Sequence, residues 1–396
     1  VTAETQLTPG RVVVMATACA FAVATLYYSQ PLLPMMGASF GHSPAEAGLI
    51  ATLTQIGYAL GLVLFVPLGD RLNRKALILS LLSANMIGLA ACALAPGFIL
   101  LLVASLGVGL TAVTAQIVIP AVSSLASPEN RGRTIGTLLS GLSAGLLLAR
   151  TVSGLVGTYL GWRAMFGLSL LLDGGLMLII WRLLPTVAPT SNLSYPRLLA
   201  SLGGLILREP VLRRASLIGF LLFASFNALW GTLAALLARP PFGFAADAVG
   251  AFGLVGLAGL LASPVIGRLS DRFGTGVMVT AGALSVFACF VLVAGTESQL
   301  LLLVAAMILL DVGNRAAMVA NQSRIYSLNP DERSRLNTVY MGCYFLGAAC
   351  GSALGALAGR AWGWNGLAVL GAVLALAALA VHALSARKID VSRREP

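Results

Sequence analysis

Apolar stretches long enough to cross a membrane recur along the whole chain, and nothing else in the sequence constrains the fold as tightly. A helix spanning the ~30 Å hydrocarbon core takes about 20 apolar residues. Runs of that kind, parted by Gly, Pro or charge, fall near 12–36, 45–68, 76–95, 98–125, 134–160, 164–184, 215–238, 245–268, 276–295, 298–327, 335–361 and 364–385. Lipid offers the backbone no hydrogen-bond partner, so such runs become helices. Charge is too scarce for a soluble alternative. It makes up 10% of the 396 residues against 58% apolar, with a mean hydropathy of +0.92, where a soluble domain carries about 25%. The expected class is an all-α polytopic membrane protein with twelve transmembrane helices. The first run is too long for the core of a signal peptide and lacks a cleavage pattern; it reads as the first span.

The net charge of +11 does not point to nucleic acid, because the charges sit singly in short gaps between apolar runs. Their sides are unequal. Arg71, Arg74, Lys75, Arg131, Arg133, Arg197, Arg208, Arg213, Arg214, Arg268, Arg272, Arg333 and Arg335 lie on the side of the N terminus, with Arg387, Lys388, Arg393 and Arg394 in the tail. Only Arg163, Arg239 and Arg360 lie opposite. The positive-inside rule then puts both termini in the cytoplasm. Cys19, Cys92, Cys289, Cys343 and Cys350 all fall inside apolar runs with no histidine nearby, which suits packing rather than a disulfide framework or a metal site.

The chain repeats itself. Asp70-Arg71 returns as Asp271-Arg272, 201 residues on; Pro128-Glu129-Asn130-Arg131 returns as Pro330-Asp331-Glu332-Arg333, and Gly161-Trp162 as Gly363-Trp364, each 202 residues on. The expected organisation is a six-helix bundle over 1–184, a cytoplasmic linker over 185–214, a second bundle over 215–385 and a tail over 386–396. Pro185, Pro189 and Pro196 open the linker. Leu198, Leu199, Leu202, Leu205 and Ile206 then line one side of a short amphipathic helix.

Two motifs add a resemblance. The turn after the second span reads Val66-Pro67-Leu68-Gly69-Asp70-Arg71-Leu72-Asn73-Arg74-Lys75, and its copy reads Gly267-Arg268-Leu269-Ser270-Asp271-Arg272-Phe273-Gly274. The fifth span carries Gly136, Gly145 and Gly154, with Ala149 and Ser153 at small-residue positions and Arg150 where a proline is usual; Gly347, Gly351 and Gly355 answer them in the eleventh. The sequence therefore resembles the major facilitator superfamily, and within it the twelve-span bacterial drug:proton antiporters. Tyr27-Tyr28-Ser29-Gln30-Pro31 at the end of the first span is similar to a run in the same group.

The resemblance implies that Asp70, Arg71, Arg74, Asp271 and Arg272 act as a conformational latch. Asn73, in place of the usual Gly, is expected to take the left-handed backbone of that turn. It also implies that spans 1, 4, 7 and 10 line a central cavity. Their polar and aromatic residues are Tyr27, Tyr28, Gln30, Gln116, Asn227, Trp230, Asn314 and Asn321, with Gln55 and Tyr58 on the second span. Each is equally readable as a helix–helix hydrogen bond. Intramembrane charge is costly and marks candidate function: Arg150, Asp173, Asp311 and Arg315. Asp311 and Arg315, four apart, share a helix face and are positioned to pair, which makes them, with Arg150, the candidates for proton coupling. Asp173 reads as structural, with Asn85 as its partner.

Enzyme patterns do not hold up. Gly141-Leu142-Ser143-Ala144-Gly145 matches a hydrolase elbow and Gly107-Val108-Gly109-Leu110-Thr111-Ala112 a dinucleotide fingerprint, but both lie in membrane helices, and no phosphate-binding G-x-x-x-x-G-K occurs. The expectation is a transporter and not an enzyme, monomeric, without cofactor, metal or nucleic acid, exchanging protons for a small molecule across a bacterial inner membrane. Export of drug-like compounds leads; import of a sugar or organic acid, or a non-transporting receptor, are the alternatives.

Overall fold

A computed structural model describes residues 8–127, 130–186, 194–295, 299–329 and 332–392. Pro128-Glu129, Pro330-Asp331, the linker residue Pro189 and the tail residues Arg393 and Arg394 lie outside them. The described chain is helical throughout and contains no strand.

The first span comprises α1 (Pro9–Ala24), a 3-10 turn (Gln30–Leu32) and α2 (Leu33–Ala38). The second is α3 (Pro44–Phe65) and α4 (Leu68–Arg71), and the third α5 (Arg74–Ala93). Helices α6 (Phe98–Thr111) and α7 (Thr114–Ser124) make the fourth, α8 (Arg131–Leu160) the fifth and α9 (Trp162–Leu183) the sixth. After α10 (Tyr195–Arg208) in the linker come α11 (Pro210–Leu237), then α12 (Ala246–Ala251), a 3-10 turn (Phe252–Gly256) and α13 (Leu257–Phe273) as the eighth span. Helices α14 (Thr275–Val293), α15 (Leu300–Tyr326) and α16 (Arg333–Ser392) follow; α16 is bent at the non-helical Trp362 and Gly363. Ten helical stretches among the described residues have the length and apolarity to cross a membrane. One of these, Arg333–Leu384, is two spans joined at the bend, and the first span adds the shorter Gly10–Ala24. The protein is a twelve-span membrane protein.

Apolar side chains point outward as well as inward. Leu301 is 85% exposed and Leu171 74%, with Ile87, Leu94 and Ile99 similarly bare. Water would not tolerate such a surface; lipid does.

Proline explains the break in the first span. Pro31 has no N–H to give, and its ring would collide with the carbonyl four residues back. The ladder there tightens to bonds three residues apart: Tyr27 N–H donates to Ala24 O, Gln30 N–H to Tyr27 O and Leu32 N–H to Ser29 O. This irregular stretch is buried throughout, from Thr25 to Leu33. Irregular backbone survives at membrane depth only where protein or a wet cavity surrounds it.

The turn after the second span departs from expectation. Asn73 has φ −58°, not a left-handed value, and its side chain accepts hydrogen bonds from the N–H groups of Lys75 and Ala76. It caps the N-terminus of α5 with a side-chain oxygen, which a glycine does not have. In the second copy the residue at this point is a glycine, and there Gly274 does take φ +85°.

Contacts divide the chain into two units: Val1–His42, Leu53–Leu199 and Ala245–Gly253 in one, and Ser43–Thr52, Ala200–Phe244 and Leu254–Pro396 in the other. In the first, α1 packs on α8, α5 on α9 and α6, and α12 on α8; in the second, α11 packs on α16 and α14 on α15 and α16. Both use the same device. A methyl group at Gly141 or Gly145 would strike the carbonyl of Ala16 or Ala20, and one at Gly347, Gly351 or Gly355 that of Phe220, Ala224 or Ala228. Gly145 and Gly347 are 202 residues apart. Lipid gives helices no hydrophobic reason to associate, so such close backbone approach supplies the packing energy. Gly154 is in the same situation against Ala246, whereas Gly136 faces open space and needs no small residue. In the linker, α10 buries Leu198, Leu202 and Leu205, but Ile206, expected on that side, is exposed.

Candidate functional site

In the first unit the polar residues of the first span meet charges from the fifth and sixth. Arg150 is 6% exposed. Its Nε donates to Gln30 Oε1 at 2.7 Å, and its guanidinium lies 4.6 Å from the centre of the Tyr27 ring, a cation–π distance. One turn later, Ser153 donates its hydroxyl to the carbonyl of Tyr28. That bond satisfies a backbone acceptor in the irregular stretch, a role that its place in the small-residue motif did not reveal. Thr151 and Thr158 tie the same helix to α12, through Gly250 O and the Asp247 N–H.

Asp173 is fully buried in α9 and within electrostatic reach of Tyr28. The expected pairing with Asn85 is absent: Asn85 donates to Val108 O and to Thr111 Oγ1. Two ionisable side chains therefore approach adjacent tyrosines of the first span. On the other side, Tyr27 comes within electrostatic reach of Tyr58, whose hydroxyl accepts from Gln116 Nε2 at 3.2 Å. Gln55, one turn before Tyr58, is completely buried.

The second unit holds an aromatic set. Phe223 stacks on Tyr344 with 3.7 Å between ring centres, and Phe226 and Trp230 continue the row along α11. Asn314 Nδ2 donates to the Tyr344 hydroxyl at 2.7 Å, Asn321 lies beside Tyr340, and Asn227 is buried with its Nδ2 on Phe223 O. Phe223, Tyr340, Tyr344 and Phe345 were not singled out in the sequence. Three of the four lie in the eleventh span, whose conspicuous sequence signal is its glycines.

Asp311 and Arg315 are half-buried in α15. Ion pairs join Asp70 to Arg74 at 3.3 Å, and Glu332 to both Arg208 and Arg335. Asp311 packs where Gly259 lets α13 come close, within reach of Cys289 on α14. Of the latch residues, Arg74 is buried; it binds Asp70 and also donates Nε to Gly69 O. Arg71, Asp271 and Arg272 are exposed, and Arg272 lies over Phe273.

The comparisons with known proteins agree with this architecture. The sequence profile of the Major Facilitator Superfamily matches residues 13–323 and 215–396. The chain belongs to the major facilitator superfamily. A putative uncharacterized transporter of Escherichia coli K12, YgaY, is 38% identical over 376 residues, 95% of each chain. A probable sugar efflux transporter of Pasteurella multocida is 26% identical over 383 residues, 94% of this chain and 91% of its own. Among solved structures, the nucleoside transporter NupG superposes with a TM-score of 0.77 at 16% identity, covering 93% of this chain and 99% of its own. At that identity the likeness speaks for the fold alone. This superfamily member is a multi-pass membrane transporter, and the two buried sets just described are its candidate site residues.

Proposed function

We propose that this transporter is a proton-coupled exporter of small organic compounds in a bacterial inner membrane, with both termini cytoplasmic, working as a monomer by alternating access. The observation that carries the reading is the buried set around the irregular stretch of the first span. Arg150, Gln30 and the two tyrosines there form a polar set, centred on a buried charge, inside a mostly apolar bundle. Burying a charge at membrane depth is costly, so a guanidinium that contributes nothing to transport would be selected against. The efflux name of the Pasteurella relative favours export, and the aromatic row of Phe223, Phe226, Trp230 and Tyr344 offers apolar surface to an organic molecule. Coupling falls to Asp311, a half-buried carboxylate that can exchange a proton with water. Asp70, Arg71, Arg74, Asp271 and Arg272 serve the conformational cycle.

Flux in proteoliposomes tests this. An imposed pH gradient should drive substrate against its concentration in the direction opposite to proton flow, and collapse of the gradient should stop it. Accumulation in the same direction as protons would make the protein an importer. Absence of any flux across a broad panel of compounds would leave only a receptor.

A further inference from the structure

At the linker end of the second unit, basic side chains from three helices are gathered together. Arg214 stands near the start of α11, Arg324 in the last turn of α15 and His382 towards the end of α16, and all three are half-buried. Arg324 lies within electrostatic reach of both Arg214 and His382, and α11 packs on both α15 and α16. Among the described residues neither arginine has an ion-pair partner. Glu332 is taken by Arg208 and Arg335, and Glu209, which precedes Arg214 on the same helix, pairs with neither. A guanidinium stays charged at any relevant pH, so the repulsion between the two cannot be relieved by losing a proton. The imidazole of His382 hydrogen-bonds the backbone of Gly276, with Nε2 as the nitrogen on that side. Its other nitrogen, Nδ1, is buried and has no hydrogen-bond partner among the described residues. Like charges drawn together out of water cost free energy, so the arrangement calls for an anion between them.

We propose that Arg214, Arg324 and His382 form a binding site for a phosphate group, carried by an anionic phospholipid or by a soluble phosphate. A phosphate turns acceptor oxygens in several directions, which suits donors arriving from three helices, and a guanidinium fork binds it bidentately. With a proton on Nδ1, His382 adds a further donor. The surroundings favour the lipid as the source. Leu217 on α11, Val277 next to Gly276, and Leu384 just beyond His382 are all exposed, an apolar surface of the kind acyl chains cover. Basic pockets between spanning helices hold anionic headgroups in this way. A phosphate seated there ties the ends of the seventh, tenth and twelfth spans together and stabilises the second unit. The site depends neither on the transported substrate nor on the direction of transport.

The test uses the full chain, purified in detergent and stripped of lipid, and reads the midpoint of thermal unfolding. The probes are dioctanoyl phosphatidylglycerol, dioctanoyl phosphatidylcholine and inorganic phosphate. Phosphatidylglycerol should raise the midpoint with an apparent affinity at least about tenfold above that of phosphatidylcholine, a difference of about 1.4 kcal/mol. Combining Arg214→Gln with Arg324→Gln should abolish this preference, and His382→Gln should weaken it severalfold. Arg197→Gln, which removes an exposed charge from the linker helix, should leave it intact. Inorganic phosphate separates the two sources. If millimolar phosphate raises the midpoint by itself, and does so only with both arginines present, the site takes a soluble phosphate; if it has no effect while phosphatidylglycerol does, the source is the lipid. Should the paired variant not be recovered folded, Arg324→Lys takes its place. It keeps the charge but not the fork, and should retain only part of the preference. The proposal is overturned if the two lipids act alike and phosphate does nothing, if the paired variant responds as the wild type does, or if Arg197→Gln loses as much as the paired variant.

Discussion

A single hydroxyl illustrates how the site is held. Ser153 closes the carbonyl of Tyr28, which the irregular first span cannot satisfy for itself. Ser153→Ala leaves a buried acceptor unmade, so the protein should lose about 1–3 kcal/mol of stability, read as a lower midpoint of thermal unfolding in detergent. An unchanged midpoint would show that the hydroxyl is dispensable. Asp311 carries the prediction about energy. Moving one elementary charge through the membrane is worth about 2.3 kcal/mol per 100 mV. Asp311→Asn should therefore abolish uphill movement of substrate while sparing counterflow exchange, which needs no proton. Uphill transport by Asp311→Asn would remove it from the coupling path and turn attention to Asp173, the buried carboxylate beside Tyr28. At this scale the sequence named Arg150, Gln30, Tyr27 and Tyr28, because buried charge and polarity in apolar runs are conspicuous. The spacing of Asp311 and Arg315 puts both on one helix face, where a pair is permitted. The backbone and Cβ of Asp311 pack against Gly259 of α13, a contact between helices that spacing along α15 cannot reveal.

Among the helices, glycine spacing and proline position govern the geometry. The fifth and eleventh spans approach their neighbours through Gly145 and Gly351, where the carbonyls of Ala20 and Ala224 occupy the space a side chain would need. Gly351→Val should separate α16 from α11 at a cost of about 1–3 kcal/mol or more, measurable as reduced yield of monodisperse protein and a lower melting point. Gly136→Ala, at a position facing open space, should change neither; equal damage from both would mean that the spacing, not the contact, matters. The sequence revealed the small-residue pattern but ranked Gly136 with the others, because a motif does not say which neighbour is near. The tightened ladder in the first span was likewise implicit in Pro31 and Pro34 without being predictable in extent. Where the carbonyl of Tyr28 finds its donor depends on Ser153, 125 residues away.

For the molecule as a whole, the turn after the second span is proposed to bear on the cycle rather than on affinity. Asp70 and Arg74 pair across one helical turn, with Arg74 also holding Gly69 O. Asp70→Asn should slow transport severalfold while leaving equilibrium substrate binding nearly unchanged, compared by flux and by ligand-induced thermal shift. Lost binding with normal flux kinetics would place the residue at the substrate instead. What the sequence alone determined is the class and the plan: twelve spans, because lipid admits only long apolar helices, and a repeat of landmarks 201 or 202 residues apart. What only the tertiary structure decided is how the halves' ends are shared out. Residues 43–52 group with the second unit and 245–253 with the first, which no repeat in the sequence announces. It also decided which polar side chains become a set. Arg150 is 120 residues from Gln30 along the chain, and Tyr344 is 30 from Asn314. Hydropathy is a sum over neighbours in sequence and survives any arrangement of the helices. A hydrogen bond depends on ångström-scale distance and direction between side chains on different helices, and those are fixed only when the helices have packed.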